Sequence, residues 1–122
     1  MLRHRPTFHD NPLALANGAI IAAGADAGPL SRAILQAHWR DDADFADASV
    51  LHDLAQGVGL DATALLEAAA SDAVQTQHRA NTDEAIARSV FGSPTYFVDD
   101  DMFYGQDRLF MIEQALHTPF DP

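Results

Sequence analysis

Over one short stretch of this chain the hydrophobic period leaves the helical spacing for that of a strand, and that change limits the fold more than any other feature. In SVFGSPTYFVDDDMFYGQD, residues 89 to 107, the alternation of Thr95, Tyr96, Phe97 and Val98 reads as a strand. The acidic residues Asp99 to Asp101 read as a turn, and Met102, Phe103 and Tyr104 as the returning strand. A two-stranded hairpin is marginal alone in water, so it needs a helix or further strands to rest on. Pro94 stands at its entrance, where a missing N–H costs least.

Everything before the hairpin has helical spacing. Asn11 as N-cap and Pro12 in the first turn predict a helix carrying Leu13, Ala16, Ile20 and Ala23, with Gly24 and Gly28 ending it. Pro29 opens a second helix, with Leu30, Ile34 and Ala37 on one face and Trp39 near its end. The run DDADFADAS breaks it, and Asp41, Asp42 and Asp44 read as a solvated loop. Asp47 caps a third helix with Val50, Leu51, Leu54 and Val58, stopped by Gly57 and Gly59. Asp61 caps a short fourth around Leu65 and Leu66.

Ser71 and Asp72 begin a fifth helix reaching about Ser89, whose projected inner face (Val74, His78, Asn81, Thr82, Ala85) is polar in the middle. The alternatives stay open: a wet groove or a slightly misread phase, against Asn81 or Thr82 facing a polar pocket. After the hairpin, Gln106 and Asp107 begin a last helix with Leu109, Ile112 and Leu116 turned inward.

Composition excludes several functions. With no cysteine, these 122 residues make no disulfide and perform no thiol chemistry. A net charge of −11, with all seven basic residues arginine, disfavours nucleic acid and anionic membrane as partners. The longest apolar stretch, Ala19 to Ala23, is too short to cross a bilayer, and MLRHRPTF is not followed by the apolar run of a signal peptide. A cytoplasmic setting is expected. The six histidines are scattered without metal-ligand spacing, so no metal site is expected.

Two local motifs are candidates for binding. At Ser93-Pro94, a trans bond in a plain turn competes with a cis bond that would offer the Ser93 N–H and C=O to an extended ligand. In Tyr104-Gly105-Gln106-Asp107, glycine admits close approach, a helix N-terminus suits a carboxylate, and Asp107 suits an ammonium. That pairing fits an α-amino acid head group. Equally, Asp107 could simply cap the helix.

Taken together, RANTDEAIARSVFGSPTYFVDDDMFYGQDRLFMIEQAL (residues 79–116) resembles the C-terminal end of the 2-hydroxychromene-2-carboxylate isomerases. Those enzymes are related to kappa-class glutathione transferases in the DsbA-type, thioredoxin-like superfamily. The resemblance implies an α/β thioredoxin-like fold, N-terminally truncated, with 1–89 as a helical insertion and 90–122 as its C-terminal β-β-α part. It implies that Ser93-Pro94 is cis and lies against the cysteinyl part of glutathione, with Gln106 and Asp107 holding the γ-glutamyl head. Asn11 and Tyr104 would lie near the substrate cleft, although Tyr104 stands where the family often has tryptophan. The catalytic serine is expected upstream of Met1, on a β-α-β unit with no counterpart here. The implied activity is glutathione-dependent cis–trans isomerisation of an aromatic carboxylate in aromatic degradation. The alternative is a non-catalytic remnant or glutathione-binding module, completed by self-association or another chain. A homo-oligomer joined through the sheet edge is expected in either case.

Overall fold

The computed structural model describes residues 4–118, which divide into two compact units, Met1–Thr82 and Asp83–Pro122. The elements are α1 (Ala14–Ala23), α2 (Ala27–Trp39), α3 (Ala48–Gly57), α4 (Ala62–Ala70), α5 (Asp72–Ala87), β1 (Thr95–Val98), β2 (Asp101–Tyr104) and α6 (Leu109–His117). Short 3-10 turns precede α2 and α6. Five helices, a hairpin and a helix therefore follow in the expected order, and the division between units falls inside α5.

In the first unit α1 packs on α2 and α4, and α3 on α2 and α4. Their shared core is rich in alanine: Ala16, Ala19, Ala55, Ala62 and Ala69 join Leu30, Ile34, Phe45, Leu51 and Leu65. Small side chains let helix axes come close, because ridges of alanine leave room for the facing backbone. At Gly18 the approach is closest. A Cβ there would lie 2.6 Å from the Ala69 carbonyl oxygen and 2.8 Å from Gln75 Nε2. Gln75 uses that space to donate to the carbonyls of Ala14 and Ala69, fastening α5 to two helix ends.

The caps are set by aspartate and serine. Asp47 accepts from the Ser49 N–H at 2.8 Å and Asp61 from the Ala64 N–H at 3.1 Å. The Ser49 hydroxyl and N–H hold the Asp47 carboxyl below its ordinary value. Ser71 Oγ accepts from the Val74 N–H at the start of α5. Asn11 does not cap α1, which starts at Ala14 behind an uncapped Leu13. Its amide donates instead to Asp44 Oδ1 at 2.9 Å, a charged acceptor that outcompetes a helix N–H partner. Gly28 lies inside α2 rather than ending α1, since Pro29 is accommodated in the first turn of that helix.

The acidic loop is not freely solvated. Asp44 is half-buried and also accepts from the Ala46 N–H, while Asp42 takes both the N–H and hydroxyl of Thr7. The polar stripe of α5 is open to solvent at Asn81 and Thr82. Asn81 and Thr82 are exposed, Asn81 Oδ1 accepting from Gln77 and Thr82 Oγ1 donating to the His78 carbonyl one turn back. Those local bonds satisfy both side chains, so neither faces a pocket.

In the second unit β1 and β2 pair antiparallel in the register Thr95↔Tyr104 to Val98↔Asp101. Asp101 thus belongs to β2, and the turn is Asp99-Asp100, with Asp99 at φ 53°. Arg88 pins this turn: its Nη2 donates to the Asp99 carbonyl at 3.1 Å, and its guanidinium lies 3.6 Å from the centre of the Phe97 ring. α6 packs against β1 and buries Ala115, while Phe103 is buried on the strands. Leu109 and Leu116, expected inside, are 53% and 66% exposed because two four-residue strands offer too little surface to cover them.

The Gly18 contact yields a paired test. Gly18→Ala should lower stability by about 1–3 kcal/mol, the usual penalty for forcing volume into a filled contact. Gly28→Ala, where a Cβ meets nothing within 4 Å, should instead raise stability by roughly 0.5–1 kcal/mol. Urea melts of the two variants check both; equal effects would contradict the close helix approach.

Candidate functional site at the open end of the hairpin

The bond between Pro94 and Gly105 builds this site. The Gly105 N–H donates to the Pro94 carbonyl at 2.9 Å, extending the ladder one step beyond Thr95 and Tyr104. The Ser93–Pro94 peptide bond is cis. Ser93 and Pro94 on one side, and Gln106 and Asp107 on the other, therefore meet at the end of the hairpin opposite its acidic turn. In an antiparallel ladder hydrogen-bonded pairs alternate. Counting from Pro94–Gly105, the N–H and C=O groups of Thr95 and Phe97 point away from β2, along the free edge of β1.

Ser93 is exposed and makes no hydrogen bond among the described residues. Gln106 and Asp107 are exposed too, in the 3-10 turn Gln106–Arg108 that leads into α6. Neither side chain caps that turn or the helix. The capping alternative for Asp107 therefore does not hold: its carboxylate folds back over Gly105 instead. A Cβ on Gly105 would stand 2.5 Å from Asp107 Oδ1, and Gly105 sits at φ 102°, a conformation that suits glycine alone. The result is a carboxylate and an amide without hydrogen-bond partners among the described residues, at the start of a helical segment and around a backbone that carries no side chain.

Tyr104 flanks this end. Its ring meets Phe91 at 4.7 Å between centroids and lies over Gly92, where a Cβ would come within 2.6 Å of the ring. Phe91 is 71% exposed and Tyr104 46%, so the pair forms an open aromatic wall. By register, Thr95, Phe97, Met102 and Tyr104 share one face of the hairpin, and Tyr96, Val98 and Phe103 the other, which holds the buried Phe103. Asn11 lies in the other unit, bonded to Asp44 as described.

Arg88 and Phe91 had gone unremarked in the sequence. The available signal was position: Arg88 lies one helical turn past Glu84, 3.6 Å from it, and Phe91 directly precedes the glycine that Tyr104 covers. No group of three or more His, Asp or Glu side chains able to hold a metal ion comes together among the described residues. No helix there is long and apolar enough to cross a membrane.

The conformation of Gly105 is testable. Gly105→Ala should cost about 1–3 kcal/mol through its backbone conformation and the clash with Asp107. Adding Asp107→Ala should recover only part of that loss, because the backbone strain persists. Full recovery in thermal melts would show that the clash alone was responsible.

A 2-hydroxychromene-2-carboxylate isomerase from Sphingobium xenophagum is 44% identical over 78 residues, 64% of this chain and 40% of the relative. Another of that name from Pseudomonas sp. (strain C18) is 35% identical over 94 residues, 77% of this chain and 44% of the relative. A solved selenomethionine form of 2-hydroxychromene-2-carboxylate isomerase superposes with a TM-score of 0.71 at 27% identity, covering 93% of this chain and 56% of its own. The chain thus spans less than half the length of these curated relatives. The DSBA-like thioredoxin domain model matches residues 1–117, and the chain belongs to the DSBA-like thioredoxin domain family.

Proposed function

We propose that this chain forms the glutathione-holding part of a cytoplasmic cis–trans isomerase of the 2-hydroxychromene-2-carboxylate isomerase type. The observation that carries the reading is the pair Gln106 and Asp107, exposed and uncommitted at the start of a helical segment. A carboxylate beside free backbone N–H donors matches the zwitterionic head of a γ-glutamyl group, one charge for each. Ser93, with its backbone unbonded beside the Pro94 bend, suits an extended peptide-like stretch such as the cysteinyl portion. The residues present therefore fit glutathione.

When bound, glutathione supplies a thiol that adds reversibly to an unsaturated aromatic carboxylate and lets a formal double bond rotate. Asp107 would hold the ammonium and Gln106 the carboxylate of the head group, fixing the tripeptide at one end. Ser93 would hold its middle in extended form. Phe91 and Tyr104 give an apolar wall against which a planar aromatic substrate can lie and exclude water. None of these residues activates a thiol. That task needs a donor to the thiolate, which we assign, by the family resemblance, to a serine outside these 122 residues.

Glutathione at millimolar concentration should shift the backbone amide resonances of Ser93, Gln106 and Asp107. Asp107→Ala should weaken that binding about tenfold, the loss of one charge-assisted hydrogen bond. Unmoved resonances at all three positions would overturn the reading. Isomerase turnover by the 122-residue chain should be negligible, and turnover matching a full-length relative would remove the need for an outside serine.

A second reading has its own observation. Ile86, Phe91, Met102, Tyr104, Leu109, Phe110 and Leu116 are all more than 40% exposed in the second unit. An open strand edge beside so much apolar surface favours association, so this reading is a binding module completed by a second copy or another chain. Sedimentation should find a dimer or larger assembly at micromolar concentration. A folded monomer there would count against it.

A further inference from the structure

Three residues tie the segment before α1 to the α2–α3 loop and the end of α2. Thr7 donates through N–H and hydroxyl to Asp42, both at 2.7 Å; His9 Nδ1 lies 3.0 Å from His38 Nε2; and Asn11 donates to Asp44. His9 is exposed, whereas His38 is 6% exposed and the buried polar residue of this unit's interior. The two imidazoles lie nearly parallel, 5.3 Å between centroids with 14° between planes, and Trp39 and Phe45 pack edgewise on His38. We propose that the His9–His38 contact is a proton-operated latch that holds the segment against the helical unit near neutral pH and releases it on acidification.

The argument rests on donor count. A contact of 3.0 Å between two ring nitrogens requires one N–H and one lone pair. His38 Nδ1 is buried without a hydrogen-bond partner among the described residues, and the Ala43 backbone favours a proton on the ring. A proton on that nitrogen leaves Nε2 to accept from the Nδ1–H of His9. A proton added at His38 Nε2 sets two N–H groups facing each other across that contact. The bond cannot form in that state.

The surrounding charges set where this happens. Burial first, and then the charge of His9, push His38 below its ordinary value, while Asp42 opposes them. Asp44 is taken by Asn11 and Ala46, Asp10 by Arg5, and Asp41 by Arg40. A histidine whose folded value is depressed favours folding above its unfolded value of 6.5. That contribution is lost as pH falls through 6.5 toward the folded value, because the released state binds the extra proton. The latch therefore opens on the acid side only. The inference is independent of glutathione and of the hairpin.

Hydrogen exchange and imidazole nitrogen NMR test it on the intact chain. Between about pH 7.5 and pH 5, the protection factor of the Thr7 amide, corrected for intrinsic exchange, should fall about fivefold to tenfold. His9→Gln, at an exposed position that spares the core, should diminish that pH dependence, leaving the part due to burial of His38. The nitrogen spectrum of the unaltered chain at neutral pH should show His38 protonated on Nδ1. Unchanged Thr7 protection down to pH 5, an undiminished response in His9→Gln, or a neutral His38 protonated on Nε2 would each overturn the latch.

Discussion

The second unit depends on one backbone hydrogen bond, from the Gly105 N–H to the Pro94 carbonyl. It carries the ladder past the last paired residues and draws the chain before β1 against the chain after β2. Proline can sit there because the ladder needs only its carbonyl, and glycine because the backbone turns at φ 102° before the 3-10 turn. Without that bond, Ser93 and Asp107 would belong to two unconnected loops. With it, uncommitted polar groups gather at one end of the hairpin, and the acidic turn lies at the other.

The two units solve the burial problem in different ways. The first has a continuous core built from alanines and a few large side chains, so its helices pack closely and their ends are tied by Gln75, Asp47 and Asp61. The second has one hairpin and one helix, enough to cover Phe103 and Ala115 but not the leucines and phenylalanines around them. Loss of water from apolar surface is worth about 25 cal/mol per Å², so side chains left this exposed in a small unit represent stabilisation not yet realised. The surface that makes the unit suitable for a ligand or further chain is the surface its own elements cannot bury.

Polar side chains in the first unit show the same economy. Asp42 and Asp44, on what reads as an acidic loop, are spent on Thr7 and Asn11, and the loop holds the preceding segment in place as a result. His38 is buried among aromatic rings with the exposed His9 as its bonded neighbour. Both features come from residues more than twenty-five positions apart, and each alone looks like ordinary surface or ordinary core.

By itself the sequence determined the order of elements, the caps at Asp47 and Asp61 and the position of the hairpin. These depend on residues within a turn or two of each other, where spacing and side-chain chemistry act directly on the backbone. It also carried the family, through FGSP and YGQD, which flank the hairpin in sequence. Tertiary structure decided the rest. Asn11 left the α1 cap because a carboxylate thirty-three residues away bonds it better. Leu109 and Leu116 lie outside, although their spacing marks an inner face, because a helix buries only what its neighbours are large enough to cover. Whether Asp107 capped a helix or stayed free was likewise undecidable from YGQD. Its carboxylate folds over Gly105, and only the backbone path that the Pro94–Gly105 bond imposes brings it there.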